Sequence, residues 1–195
     1  MKIVIVGHGD SLRRDYLGGL IDGFDFVCKV KRGVSKEKAY LEIPERAGSK
    51  CDAVAGPLRG NLKGTDVLGV SEFWPVRLMK HREDGDPTRW WDDLEKLERK
   101  SSIRIRTAYK ALCYWGRIYK DISPIHGPSS GMEAIVIALE HFMPKELVLA
   151  GFDAIRTGQT STWSKKLGKD PHPAKYEQEI LGQMERYYNI KVNFL

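Results

Sequence analysis

The chain has 195 residues, enough for one domain of ordinary size, and 42% of them are hydrophobic, which excludes wholesale disorder. The formal charge of +6, from 32 basic against 26 acidic residues, favours an acidic partner such as a nucleotide, a nucleic acid or an anionic glycan. No run approaches the roughly 18 apolar residues of a membrane helix, and Cys28, Cys51 and Cys113 have neither metal-ligand spacing nor an even count, so a disulfide framework is not expected and a reducing compartment is.

In chain order, Ile3 to Val6 is expected as a buried first strand, because four consecutive apolar residues need cover on both faces. Gly7-His8-Gly9-Asp10-Ser11 turns out of it into a helix expected over Leu12 to Ile21, capped by Asp10 or Ser11. Phe24 to Val30 and Cys51 to Ala55 are the next strand candidates, while Gly60 to Gly69 is glycine-rich and expected to loop. A long helical stretch opens at Asp86-Pro87-Thr88, with Trp90, Leu94 and Leu97 at helical spacing, and Ala108, Leu112 and Trp115 repeat that spacing further on. Gly127-Pro128-Ser129-Ser130-Gly131 is a tight loop before a helix from Met132 to His141. A strand from Glu146 to Ala150, a helix from Pro171 to Tyr188 and a strand from Ile190 to Phe194 complete the chain. Strands alternating with helices predict an α/β fold in a single unit over 1–195, a mainly parallel sheet flanked by helices on both faces.

Three segments can carry chemistry. After the first strand, Gly7 and Gly9 let backbone approach a ligand, and the following helix offers N–H groups to an anion. It is an incomplete dinucleotide fingerprint, since the third glycine is missing. Ser129, Ser130 and Gly131 start a helix and suit a phosphate or carboxylate, although plain helix capping explains the serines equally well. His172 precedes the last helix, whose N-terminus disfavours the imidazolium and keeps a neutral base; Glu177, five residues on, could orient the ring or stabilise its charge.

Taken together, these segments resemble the sialyltransferases of glycosyltransferase family 29. The family's large motif is similar to Asp10-Ser11-Leu12, Leu17-Gly18, Ile21-Asp22 and Asp25-Phe26-Val27. Its small motif resembles Pro128-Ser129-Ser130-Gly131-Met132 with the helix and strand that run to Gly151-Phe152, and its last motif, His-x4-Glu, matches His172 and Glu177. The resemblance covers about half the chain. It implies a Rossmann-like variant of the GT-A glycosyltransferase type and inverting, metal-independent transfer of a sialic-acid-like sugar from a CMP-sugar, or another nucleotide sugar, to a hydroxyl of a glycan or other acceptor.

Carried over, Gly7, His8, Gly9, Ser11, Lys31, Ser129, Ser130 and Gly131 bind the donor, His172 is the general base and Glu177 assists it; the donor is a co-substrate, so no cofactor or metal is expected. The family usually has asparagine where His8 and Lys31 stand. Its third-motif histidine has no counterpart in the stretch after Gly151-Phe152, where Arg156, Lys165 or Lys166 could instead stabilise the departing phosphate. Absence of the family's cysteine pair and anchor implies a cytoplasmic bacterial or viral enzyme. If the donor is a diphosphate sugar, Asp84-Gly85-Asp86 is the fallback metal site.

Two other functions fit the same features. Lys100, Arg104, Arg106, Lys110, Arg117 and Lys120 stand among Tyr109, Tyr114, Trp115 and Tyr119, a pattern that suits a transferase acting on hydroxylated bases of viral DNA, or simply an amphipathic helix with aromatics in the core. The third reading is a non-catalytic nucleotide-binding module.

Overall fold

The computed structural model describes residues 1–30, 43–57, 70–76, 94–96, 98–99, 103–123, 127–158 and 174–195. Among them are seven strands: β1 (Lys2–Val6), β2 (Phe26–Val30), β3 (Ala53–Pro57), β4 (Glu72–Val76), β5 (Arg104–Ile105), β6 (Glu146–Ala150) and β7 (Val192–Phe194). They form one sheet in the order β5-β4-β3-β2-β1-β6-β7, and all six pairings are parallel. The α/β expectation is met, and the sheet is parallel throughout the described strands rather than mainly so.

Alternation along the strands sends side chains into two layers. Ile3 and Ile5 of β1, Cys28 and Val30 of β2 and Leu147 and Leu149 of β6 enter the larger core. There they meet helices α4 (Tyr109–Ile122), α5 (Ser130–Phe142) and α7 (Ala174–Tyr188). Val4, Val6, Val27, Val148 and Ala150 point the other way, onto Leu12, Ile21 and Ala47 of the short helices α1 (Ser11–Arg14), α2 (Gly18–Asp22) and α3 (Pro44–Ala47). The strands are apolar on both faces because both faces are covered. At the end of α2, burial pulls the Asp22 carboxyl's pKa upward. Hydrogen bonds from the Ser49 and Lys50 N–H groups and the Ser49 hydroxyl, with Lys29 nearby, outweigh it and hold the pKa below the ordinary value.

Several boundaries differ from the sequence expectation. The helix expected over Leu12 to Ile21 is two helices, α1 and α2, broken at Asp15, whose backbone is extended. Gly18 opens α2 and lets it lie against α3: a Cβ there would stand 1.8 Å from the Pro44 carbonyl oxygen. Strand β4 was not expected, because Pro75 interrupts its apolar run. Pro75 is tolerated because, among the described residues, β5 pairs only with Glu72 and Phe73, so the missing N–H faces no described ladder partner on that side. Strand β5, α3 and a further short helix, α6 (Asp153–Thr157), also carry too little periodicity to be read. Helix α5 starts two residues earlier than expected, at Ser130. The loop Gly60 to Gly69, the opening Asp86-Pro87-Thr88 with Trp90 and Leu97, and Pro171 lie outside the described residues. No helix among the described residues is long and apolar enough to cross a membrane, and all three cysteines are free thiols.

Candidate functional site

The chain runs outward from β1 through β2, β3, β4 and β5 on one side, then crosses back to place β6 and β7 on the other. The order of strands therefore reverses between β1 and β6, and in open parallel sheets the crevice beyond the carboxyl ends at such a reversal is where ligands bind. The loop Gly7 to Asp10 leaves β1 there, and Gly151-Phe152-Asp153 leaves β6 beside it.

The two loops are fastened together by backbone. Gly7 N–H donates to the Ala150 carbonyl at 2.8 Å and Gly9 N–H to the Gly151 carbonyl at 2.7 Å. Ser11, at the start of α1, donates its N–H to Asp153 Oδ2 at 2.7 Å. Its hydroxyl, on a side chain buried in the same junction, has no hydrogen-bond partner among the described residues. His8 is half-buried in the loop, with its Nδ1 enclosed by protein.

Phe152 joins this junction to the second predicted loop. Its ring lies against both Gly7 and Gly131: a Cβ on Gly7 would stand 2.9 Å from Cε2, and one on Gly131 would stand 2.5 Å from Cε1. A side chain at either position would force its neighbours to shift, which is the physical reason for glycine at each. The loop after β1 and the loop before α5 thus face the same aromatic ring. The serines of the second loop divide. Ser129 caps α5, its Oγ accepting from the Met132 N–H at 3.3 Å, so the capping alternative applies to it. Ser130 is buried, at 2% exposure.

Glu177 sits in the first turn of α7, buried at 5% exposure, and Oε1 accepts the Ser129 N–H at 3.0 Å. Its carboxylate therefore ties the helix that begins two residues after His172 to the serine loop. A carboxylate in a first helical turn is also favoured by the helix dipole.

The remaining predicted residues stand apart or beyond view. Arg156, in the last turn of α6, is exposed and turns its guanidinium toward the Leu195 carbonyl at 3.5 Å, just past β7. Lys31, Lys165, Lys166, His172 and Asp84-Gly85-Asp86 lie outside the described residues. Among the described residues no group of three or more His, Cys, Asp or Glu is placed to hold a metal ion. On α4, Trp115 and Tyr119 are buried in the core while Tyr109 and Tyr114 face outward, so the helix is amphipathic with only part of its aromatics inside.

Sequence reasoning missed Phe152 and Asp153 as site residues. The sequence places Gly151-Phe152 only where the small-motif strand ends, with no site role; that this strand lies beside β1 is a property of strand order, which no local pattern encodes.

No protein-family model matches the sequence, and no curated protein matches it. Solved structures do. The sialyltransferase CstII from Campylobacter jejuni in complex with a substrate analogue, CMP-3FNeuAc, is 17% identical with a TM-score of 0.62, covering 100% of this chain and 80% of that one. The same enzyme in complex with a trisaccharide acceptor and CMP gives 17% identity and a TM-score of 0.63, over 100% of this chain and 81% of that one. A mammalian sialyltransferase in complex with Gal-beta-1-3GalNAc-ortho-nitrophenol is 16% identical with a TM-score of 0.56, covering 98% of this chain and 68% of that one. At these identities the likeness establishes a shared sialyltransferase fold.

Proposed function

We propose that the chain is a sialyltransferase-like glycosyltransferase of the GT-A type, acting as a single catalytic unit over 1–195 and moving a sialic-acid-like sugar from a CMP-sugar to an acceptor hydroxyl. The observation that carries this reading is the convergence of the Gly7 loop, the Ser129–Gly131 loop and Phe152 at the β1/β6 strand reversal, with Glu177 binding the helix that follows His172 to the same place. Solved structures with this fold hold CMP or a CMP-sugar analogue, which supports a cytidine donor here.

In this mechanism the donor lies across the junction, contacted by Gly7, His8, Gly9, Ser11, Lys31, Ser130 and Gly131. Ser129 contributes by shaping the loop, its hydroxyl and N–H both being engaged within the protein. The positive end of α5 faces the phosphate. His172 takes the proton of the acceptor hydroxyl as its oxygen attacks the anomeric carbon from the side opposite the leaving group. The bond from that carbon to the phosphate oxygen breaks, and its electron pair leaves with CMP, so configuration inverts. CMP is a stable anion that needs charge stabilisation rather than protonation, a role for Arg156, Lys165 or Lys166. No metal takes part.

The test is incubation of the full chain with CMP-N-acetylneuraminic acid and lactose, with and without a chelator, followed by mass spectrometry. Transfer that persists in the chelator is expected. His172→Ala is expected to lower turnover about 100- to 10,000-fold while leaving the affinity for CMP, measured by calorimetry, unchanged. Absence of CMP binding, of transfer and of donor hydrolysis would overturn the proposal; CMP binding without either reaction would identify a non-catalytic nucleotide-binding module.

A further inference from the structure

Helices α4 and α7 border an open groove of about 390 Å³ lined by Tyr114, Trp115, Ile118, Gln183, Arg186 and Tyr187. Tyr187 comes ten residues after Glu177 on α7, about 15 Å along the helix at 1.5 Å per residue. The groove is thus separate from the donor junction.

Its walls are aromatic and its rim is polar. Tyr114 and Tyr187 are 49% and 64% exposed, with ring centroids 5.9 Å apart and planes tilted by 37°. Both rings are braced from below: Trp115 meets Tyr114 edge-on at 5.2 Å and Tyr187 edge-on at 5.6 Å. Trp115 is itself fixed, its indole N–H donating to the Tyr188 hydroxyl, which donates in turn to Glu140. Two exposed tyrosines are therefore held in set orientations by a buried tryptophan. Above them, Gln183 and Arg186 make no side-chain hydrogen bond or ion pair with the described residues.

A pyranose has the complementary chemistry. Its axial C–H face is apolar and stacks on an aromatic ring, while its equatorial hydroxyls reach sideways to an amide such as Gln183. A sugar that also carries a carboxylate would meet the guanidinium of Arg186, which matches a carboxylate in a planar two-pronged geometry. A nucleic acid fits less well. It needs a continuous row of cations along the phosphates; among the described residues Arg186 is the one cation that lines the groove, and on the two helices Lys110, Arg117 and Arg186 alternate with Asp121 and Glu179.

We infer that the Tyr114–Tyr187 groove is a second carbohydrate site that binds an acidic sugar, a terminal sialic acid on an oligosaccharide, apart from the donor junction. The proposed transferase activity supplies only the choice of acidic sugar; the groove's chemistry stands without it. Such a site would hold a sialylated glycan on the enzyme between transfers, or keep the enzyme at a surface that already carries the product.

The test is saturation-transfer NMR and calorimetry on the full chain with 3′-sialyllactose, lactose and a single-stranded oligonucleotide, in the wild type, Tyr187→Ala and Arg186→Gln. The expected result is binding of 3′-sialyllactose in preference to lactose, weakened about tenfold or more by either substitution, with CMP affinity unchanged in both. Arg186→Gln should abolish the preference for the acidic sugar, and Tyr187→Ala should weaken both sugars. The inference is overturned if 3′-sialyllactose does not bind, or if both variants bind it as the wild type does. It is equally overturned if the oligonucleotide alone responds to the substitutions, or if gel filtration shows the wild type dimeric and Tyr187→Ala monomeric. Loss of CMP binding in the wild type, with groove binding intact, would instead count against the donor junction alone.

Discussion

Glu177 offers a sharp test of how the site is built. Its carboxylate, 5% exposed, accepts the Ser129 N–H at 3.0 Å. Glu177→Ala removes the acceptor and leaves that N–H in a partly buried place. An unsatisfied buried donor costs about 1–3 kcal/mol, and hydrogen bonds to charged groups lie toward the upper part of that range. A loss of about 2 kcal/mol is therefore expected in urea unfolding. Glu177→Gln keeps an oxygen of the same reach and loses only the charge, so about 1 kcal/mol or less is expected. The same variants should also weaken CMP binding, because the Ser129–Gly131 loop is no longer tied to α7. His172→Ala should behave in the opposite way, sparing affinity and depressing turnover. Should Glu177→Ala match the wild type in both unfolding midpoint and CMP affinity, the carboxylate does not clasp the loop. Should it lose turnover alone, with affinity and stability unchanged, its role is with the histidine.

Ser11→Ala removes a buried hydroxyl that lacks a partner among the described residues; thermal stability should hold or rise slightly, whereas CMP affinity should fall about tenfold if that hydroxyl serves the donor. A destabilised variant with unchanged affinity would show the hydroxyl to be structural. Gly131→Ala forces a methyl group to within 2.5 Å of the Phe152 ring and should cost about 1–3 kcal/mol, part of it recovered in the double variant Gly131→Ala/Phe152→Leu; no recovery would place the strain elsewhere. The depressed Asp22 carboxyl stabilises the folded chain fully above its ordinary value of 3.8, and that contribution is lost as pH falls through the lower folded value. Asp22→Asn should therefore have a lower melting temperature than the wild type at neutral pH, and the gap should close in acid; a gap independent of pH would assign the loss to packing.

Strands β1 and β6 are legible in sequence because each is an unbroken apolar run, and burial on both faces leaves no other reading. Helix α5 is legible because a glycine-serine turn precedes a long apolar stretch. Strand β4 is not, since Pro75 argues against a central strand and its tolerance depends on how short β5 is. The break in the helix after β1 is not legible either: the chain turns extended at Asp15, and the packing of Gly18 against Pro44 joins segments that no local pattern connects. At the site, the glycines and serines are visible as loop chemistry, but their companions are not. Phe152 acquires meaning only from lying beside Gly7 and Gly131, which are 124 residues apart in the sequence. Glu177 was legible as a partner to chemistry but not as a clasp, because spacing along a helix cannot tell which distant backbone N–H a carboxylate will meet.

The bond between the Ser11 N–H and Asp153 closes a stretch of 142 residues, and β1 cannot complete its pairing until β6 has arrived. Closing so long a segment is entropically slow, and contacts of this range form late in folding. The junction where the donor is proposed to sit is then expected to assemble late and to open early. A nucleotide bound across it should act as a staple on the opening step, slowing unfolding far more than it speeds folding. Stopped-flow unfolding with and without CMP would measure how much of the molecule's persistence a bound nucleotide can supply.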